Sequence, residues 1–241
     1  MNTGFFVTVF YKDINNWIGS EIIETHTAGD RYGRFINLYY GNVRVITIEL
    51  ELRPRTYVTA FIDYTFQIAA GNASDPEAVF ADASSSPPRE SEIQTVPLDW
   101  DQRHTLNLTI MLNDPAGNWG ISVIGKLNTG KPYTPTLTAS GGVRASFENS
   151  ERKPIIVNFD LKGTRNFNVG TYTLSLFLKV FNLFDARNVS TVFSSTGRAD
   201  FTTDRLSAGR VHGVNTIDEW FTRPDYYTEP RRVQMGLTIA F

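Results

Sequence analysis

Apolar and polar residues alternate with a period of two along most of this chain. Between residues 43 and 53, for example, Ile46 and Ile48 alternate with Thr47 and Glu49. Because successive side chains of a strand point to opposite faces, this alternation predicts strands with one face in an apolar medium and the other in water. The same pattern recurs in segments 104–113, 155–162, 172–180 and 233–241. No segment shows the helical period of about 3.6 residues, so the pattern predicts an all-β fold.

Eight strand regions follow from this pattern. Most are longer than the roughly five or six residues usual in soluble sheets. Several reach the roughly 9–11 residues that a tilted strand needs to cross a bilayer. The predicted strands are 4–24, 36–53, 56–70, 102–113, 118–129, 155–165, 170–194 and 231–241.

Short and long connections alternate between these predicted strands. The short ones are 54–55, 114–117 and 166–169, and the others are 26–35, 71–101, 130–154 and 195–230. Outer-membrane barrels have short turns at the periplasmic end and long loops at the extracellular end. Loops of about 25–35 residues are also uncommon in compact soluble domains. The chain is therefore expected to form an antiparallel transmembrane β-barrel meander, integral to a bacterial outer membrane and in contact with its lipid, with extracellular loops near 71–101, 130–154 and 195–230.

Composition and charge narrow the classes of function. The 241 residues carry 23 basic and 25 acidic side chains, a net charge of −2, which argues against a nucleic-acid partner. There is no cysteine, which excludes disulfides and thiolate metal sites. Aromatic residues make up 13% of the chain. Those near strand ends or on the apolar face fit an interfacial girdle or a soluble β core: Trp17, Tyr39, Tyr40, Tyr57, Tyr64 and Trp119.

Candidate catalytic and metal-binding groups are few. His26, His104 and His212 lack partners at metal-ligand spacing on a shared helix. Segment 125–132 differs from a phosphate-binding loop at one position, because Pro132 stands where the motif needs Ser or Thr. No serine-hydrolase elbow is present. The sequence therefore predicts neither an enzyme nor a bound cofactor or metal.

Polar residues on the face opposite the apolar one are expected to point into the barrel. Glu49, Glu51 and Asp63 could be read as a glycosidase carboxylate set, but a wet interior wall requires such residues in any case. The inward candidates are Glu49, Glu51, Asp63, Gln67, Asn107, Lys126, Asp160, Lys162 and Lys179. Their mixed charges fit either a packed network or the wall of an aqueous channel.

The last strand ends the chain on an aromatic residue. Apolar side chains stand at every second position, at Val233, Met235, Leu237, Ile239 and Phe241. A terminal aromatic on such a strand resembles the recognition signal of bacterial outer-membrane proteins. The resemblance implies that the barrel-assembly machinery reads this strand.

Five short motifs follow one another along the chain. Four are segments 10–14, 98–104, 129–135 and 229–232, the last of which runs into the final strand. The fifth is an Asn-Leu-Phe-Asp sequence, formed by Asn182, Leu183, Phe184 and Asp185. In order and spacing they resemble the C-terminal part of a TonB-dependent outer-membrane receptor.

This resemblance implies a function as well as a fold. Receptors of the family have a 22-stranded barrel, a plug domain and a TonB box, and they import bulky nutrients such as siderophores, cobalamin or glycans. Residues 1–241 would be the C-terminal barrel segment, and TonB would act only through a plug that this sequence lacks. Loop residues that could contact a ligand are Tyr133, Arg144, Phe147, Trp220, Phe221, Asp225, Tyr226 and Tyr227.

Two alternatives belong to other classes. An autonomous eight-stranded barrel could serve as an anchor or narrow pore, because an even number of strands allows closure. A soluble β-rich binding module is the other alternative, although it gives no reason for the alternating loop lengths.

Overall fold

A single antiparallel meander contains all eight long strands of the computed structural model. The structure describes residues 2–27, 31–53, 57–72, 95–136, 148–207 and 216–240. The long strands are β1 (Asn2–Glu24), β2 (Arg31–Arg53), β3 (Val58–Gly71), β5 (His104–Asn113), β6 (Trp119–Asn128), β9 (Ile156–Val169), β10 (Tyr172–Phe181) and β11 (Arg232–Ala240). They pair in the order β1-β2-β3-β5-β6-β9-β10-β11. This confirms the predicted all-β meander of eight long strands.

Short elements occupy the long connections. The two-residue strands are β4 (Val96–Pro97), which pairs with the end of β3, and β7 (Pro132–Tyr133) and β8 (Glu151–Arg152), which pair with each other. The helices are α1 (Asp204–Ser207), α2 (Ile217–Phe221) and a 3₁₀ turn (Pro224–Tyr226). Within the described part of the chain, no helix is long and apolar enough to span a membrane.

The first hairpin is longer than predicted. β2 begins at Arg31 rather than at 36, so the second half of the predicted connection 26–35 is strand. Cross-strand ion pairs extend the hairpin here, including Arg31 with Glu24 at 2.8 Å. Charged pairs stabilise strand pairing without any apolar alternation, which is why the sequence pattern missed them.

The seventh predicted strand, 170–194, was wrong at its far end. β10 ends at Phe181, because Asn182 has a φ of +51°, in the left-handed region that a continuing strand cannot use. β9 in turn continues to Val169, so the predicted turn 166–169 belongs to a strand and Gly170 begins the turn.

The pairing register gives the sheet two chemically different faces. One row across the sheet joins Val7, Ile48, Tyr64, Leu106, Leu127 and Val157. The row beside it joins Thr8, Thr47, Thr65, Thr105 and Asn128. We call the surfaces that contain these rows the apolar face and the polar face. All nine polar residues predicted to point inward lie together on the polar face.

The apolar face is exposed. Exposed fractions reach 69% at Val9, 75% at Met235 and 56% at Ile239. Soluble monomeric proteins rarely expose a contiguous apolar surface of this extent. A conventional core between two layers is replaced by a sheet that presents its hydrophobic side outward.

The buried cluster of the described residues lies on the polar face, at the end where the long connections emerge. Val43, Val45 and Ala69 pack there against Leu98, which is fully buried. A bulge after Ile14 brings Trp17 onto this cluster. Trp17 is partly buried against this cluster, so of the two interpretations that the sequence left open, the structure favours packing in the core over an interfacial girdle.

Candidate functional site

The long connections meet at one end of the sheet and form what we call the loop layer. Its described segments are 95–103, 129–136, 148–155, 182–207 and 216–231. The short turns 114–118 and 170–171 lie at the opposite end. Two of the predicted ligand contacts, Arg144 and Phe147, lie outside the described residues. The histidine candidate His212 and the terminal Phe241 of the predicted assembly signal lie outside them as well.

A buried carboxylate joins two of these connections. Asp101 is fully buried and its carboxylate accepts hydrogen bonds from the Ala69 backbone N–H at 2.8 Å and from Arg103 Nε at 2.8 Å. Arg152 on β8 forms a third contact with the same carboxylate and donates to the Asp101 carbonyl oxygen at 2.7 Å. The segment before β5 is thereby tied both to β3 and to the 148–155 connection.

Asn149 makes a second connection between the same segments. Its side-chain amide donates to the Pro97 carbonyl oxygen at 2.9 Å and to an Asp99 carboxylate oxygen at 2.7 Å. Its backbone N–H donates to Thr134 Oγ1 at 3.1 Å. Asn149 has a φ of +54°, a conformation that asparagine tolerates better than other residues with a side chain.

The Asn-Leu-Phe-Asp motif forms the turn that leaves β10. Asn182 Oδ1 accepts from the Ala186 N–H at 2.9 Å, and Asn182 Nδ2 donates to the Glu229 carbonyl oxygen at 3.2 Å. Asp185 Oδ1 accepts from the Arg231 N–H at 2.9 Å. The motif therefore ties the end of β10 to the start of β11.

Phe184 and Leu183 complete this turn. The Leu183 N–H donates to the Phe159 carbonyl oxygen at 2.7 Å, and the Phe184 ring meets the Phe159 ring edge to face at 5.4 Å. Phe184 is 66% exposed beside the apolar face.

Asn188 anchors the 182–207 connection to β9. Its Oδ1 accepts a hydrogen bond from the Val157 N–H at 2.8 Å, and its Nδ2 donates to the Val157 carbonyl oxygen at 2.7 Å. Lys153 Nζ also donates to the Ser190 carbonyl oxygen at 3.0 Å. Side chains from different connections thus hold the described part of the loop layer together.

The predicted ligand-contact aromatics fall into two groups. Tyr226 packs against Phe193 at 4.9 Å and against the Arg223 guanidinium at 4.6 Å, so it supports the layer. Tyr133 also belongs to the supporting group, because its hydroxyl packs closely against Gly197. Burial and the nearby Glu151 carboxylate raise the pKa of Tyr133. Trp220 on α2 is 67% exposed and free to contact a solute.

Exposed ion pairs stiffen the outer parts of the layer. Arg198 holds the pKa of Asp200 below its usual range, chiefly through a hydrogen bond, and Arg223 does the same to Asp225. The α2 helix begins with a reciprocal cap between Thr216 and Glu219.

The remaining histidine and carboxylate candidates lie on opposite faces of the sheet. His104 lies on the apolar face, where its Nδ1 is 2.7 Å from the Tyr64 hydroxyl oxygen. Glu49 and Asp63 are direct cross-strand partners on the polar face beside a depression of about 240 Å³, and Asp63 accepts from Asn107 at 2.8 Å. Among the described residues, no group of three His, Asp or Glu side chains could hold a metal.

Sequence reasoning missed the residues that organise the loop layer. Asp101 and Arg152 are far apart in the chain, and nothing in the local pattern distinguishes them from other loop charges. The Asp101 region was noticed only within motif 98–104, and Asn149 and Asn188 carried no signal.

Comparison with known proteins gives one informative likeness. No protein-family model and no curated protein sequence matches the chain. Among solved structures, the chain is similar to the outer membrane transporter YddB from Escherichia coli, with a TM-score of 0.61 and 11% identity. The likeness covers 98% of this chain and 30% of the transporter. At this identity it establishes the fold, an antiparallel β-sheet of the outer-membrane barrel type, and the chain spans under a third of that protein's length.

Proposed function

We propose that this chain is part of an outer-membrane transporter, and that it forms the C-terminal barrel portion of a TonB-dependent receptor. The observation that carries the proposal is the exposed apolar face, backed by a polar face and capped at one end by interlocked loops. In a membrane, the apolar face would contact lipid and the polar face would line the interior.

The dimensions of the apolar face support a membrane location. On β2 its apolar residues run from Leu52 to Ile46, and Arg44 follows. These seven residues at about 3.3 Å each, tilted by about 40°, span roughly 18 Å, which fits within the apolar band, about 25 Å tall, of outer-membrane barrels. Trp119 and Tyr172 lie on this face towards the short-turn end, and Phe184 lies towards the loop end, as expected for interfacial girdles.

The open edges of the sheet support membership of a larger barrel. Within the described residues, β1 and β11 end the strand order and each pairs with one neighbour only. Unpaired backbone groups are costly in lipid, so a membrane sheet must close. Additional strands between β11 and β1 would satisfy both edges, whereas the autonomous eight-stranded alternative needs β1 and β11 to pair directly.

The loop layer would then form part of an extracellular capture surface for a bulky nutrient. Its described framework is held by Asp101, Asn149 and Asn188, and this framework leaves Trp220 exposed. Rigid support beneath exposed loop side chains is the usual arrangement of a binding surface. The proposal assigns no catalysis and no resident cofactor to this chain, and coupling to TonB would require a plug domain.

An immunoblot of fractionated cells tests the proposal. With an antibody against segment 195–230, we expect a band in the outer-membrane fraction that is several times heavier than 27.1 kDa. A band near 27.1 kDa in that fraction would instead support the autonomous barrel. A band confined to the soluble fraction would contradict the membrane location.

The C-terminal strand is proposed to contact the barrel-assembly machinery. We expect Phe241→Ser to lower the amount of the protein that reaches the outer membrane, because the terminal aromatic would be lost from the recognised strand. The conservative change Phe241→Tyr is the control and should retain assembly. Equal assembly of both variants would contradict this part of the proposal.

A further inference from the structure

The apolar face has a notch at Gly163. This residue lies between Ile121 on β6 and Leu178 on β10, its direct cross-strand partners. Apart from Gly163 itself and its two chain neighbours, no residue would place a heavy atom within 4 Å of a Cβ atom at this position. Gly125, on the same face, is different, because the Phe159 ring lies 2.6 Å from the place of its Cβ. The missing side chain of Gly163 therefore leaves real space in the surface.

This space is part of a depression of about 410 Å³. The volume lies within the range of sites that hold small organic ligands. The side chains that line it include Trp119, Ile121, Arg165, Leu176, Leu178 and Met235, with Thr164 and Phe177 beside them. Most of the lining is hydrocarbon, which suits an aliphatic chain.

The side chain of Arg165 places a cation at the short-turn side of the notch. Arg165 is two residues beyond Gly163 on the same face, and Trp119 and Leu176 are its cross-strand partners. Its guanidinium lies over the Phe167 ring at 5.6 Å, so the side chain reaches towards the short-turn end. Long basic side chains reach in this way towards the head-group level of a membrane.

Arg165 makes no salt bridge with an acidic side chain among the residues that the structure describes. Asp114 is near enough for the charge of Arg165 to contribute to its lowered pKa, but hydrogen bonds from Asn118 hold that carboxylate. The guanidinium is therefore available to an anion from outside the chain.

We propose that this notch holds a phospholipid, with an acyl chain against Gly163 and the phosphate at Arg165. The inference rests on the proposed membrane location and adds a defined lipid site to it. Guanidinium groups bind phosphate oxygens through charge-assisted hydrogen bonds, and tryptophan prefers the head-group region. Charge and shape thus match one lipid of the leaflet at the short-turn end.

Native mass spectrometry of the full chain tests the site. The protein is purified from the outer-membrane fraction, reconstituted in phosphatidylglycerol vesicles and released in mild detergent, and the lipid that remains bound is counted. We expect one retained phospholipid per chain. Gly163→Leu fills the notch and Arg165→Gln removes the charge, and each should weaken retention about tenfold, the loss expected for one charge-assisted hydrogen bond or one blocked contact surface. Ser122→Leu, on the polar face, is the matched control and should retain the lipid.

Each other outcome has a distinct meaning. Equal retention in all four proteins, or insertion with no retained lipid, would overturn the lipid site alone. Displacement of the lipid by inorganic phosphate would overturn it in favour of a dissolved anion. Absence of the protein from the outer-membrane fraction would contradict the membrane location itself, and the lipid site with it.

Discussion

Replacement of Asp101 by alanine is expected to lower the free energy of unfolding by about 3 kcal/mol, the low end of the cost of breaking a buried ion pair. The Asp101 carboxylate is fully buried and accepts from the Ala69 N–H, Arg103 and Arg152. The low end applies because the two arginine side chains remain 33% and 31% exposed, so water can partly replace their partner. The measurement is equilibrium urea unfolding of the protein purified from the outer-membrane fraction and reconstituted in vesicles, followed by tryptophan fluorescence.

Asp200→Ala is the matched control for this prediction. Asp200 also pairs with an arginine, Arg198, but its side chain is 54% exposed. Exposed pairs contribute about 0–1 kcal/mol, so the control should shift the urea midpoint only slightly. A protease added from the loop side should also cut the Asp101 variant faster, because the 95–103 segment loses its tie to β8. Equal shifts of the urea midpoint for the two variants would show that the buried Asp101 carboxylate has no special role in stability.

Introduction of arginine at Ile48 is expected to destabilise the inserted chain by about 2–4 kcal/mol, the cost of a cation near the middle of the lipid-facing band of a barrel. Ile48 is 37% exposed on the apolar face and has Val7 and Tyr64 as cross-strand partners. Under the proposed location its side chain contacts hydrocarbon. The same unfolding measurement in vesicles gives the change.

Thr47→Arg is the control, because Thr47 is the next residue on the same strand and lies on the opposite face. Its cross-strand neighbours are Thr8 and Thr65, with Thr65 Oγ1 at 3.2 Å. A cation there would enter a polar environment and should cost less than the change at Ile48. If Thr47→Arg is the more damaging change, then the polar face contacts the lipid or a packed core, and the membrane orientation proposed here is wrong.

Strand existence and facing could be predicted from the sequence because both are local properties. The period of two decides which side chains share a face, and the register confirms this for Ile48 against Thr47 and for Leu106 against Asn107. Strand ends were less predictable where charges replaced the alternation. Arg31 and Glu24 pair across a hairpin that hydropathy alone does not mark.

In the loop layer, less could be predicted from the sequence than in the strands. The sequence predicted that the long connections would carry ligand contacts, but it could not separate supporting from exposed side chains. Tyr226 and Trp220 are both loop aromatics, and only packing distinguishes Tyr226, which contacts Phe193, from Trp220, which is open. The motif Asn182–Asp185 was noticed as a pattern, and the structure explains it as a left-handed turn that ties β10 to β11.

The sequence by itself determined that this chain is an antiparallel meander with one apolar and one polar face and with long connections at one end, because periodicity and turn chemistry act between neighbouring residues. Only the tertiary structure decided that Asp101 joins Arg152, that Trp17 packs against the buried cluster of Val43, Val45, Ala69 and Leu98, and that Gly163 opens a notch beside Arg165. These features depend on residues that are distant in the chain, and on strand register and bulges, which one-dimensional hydropathy does not encode.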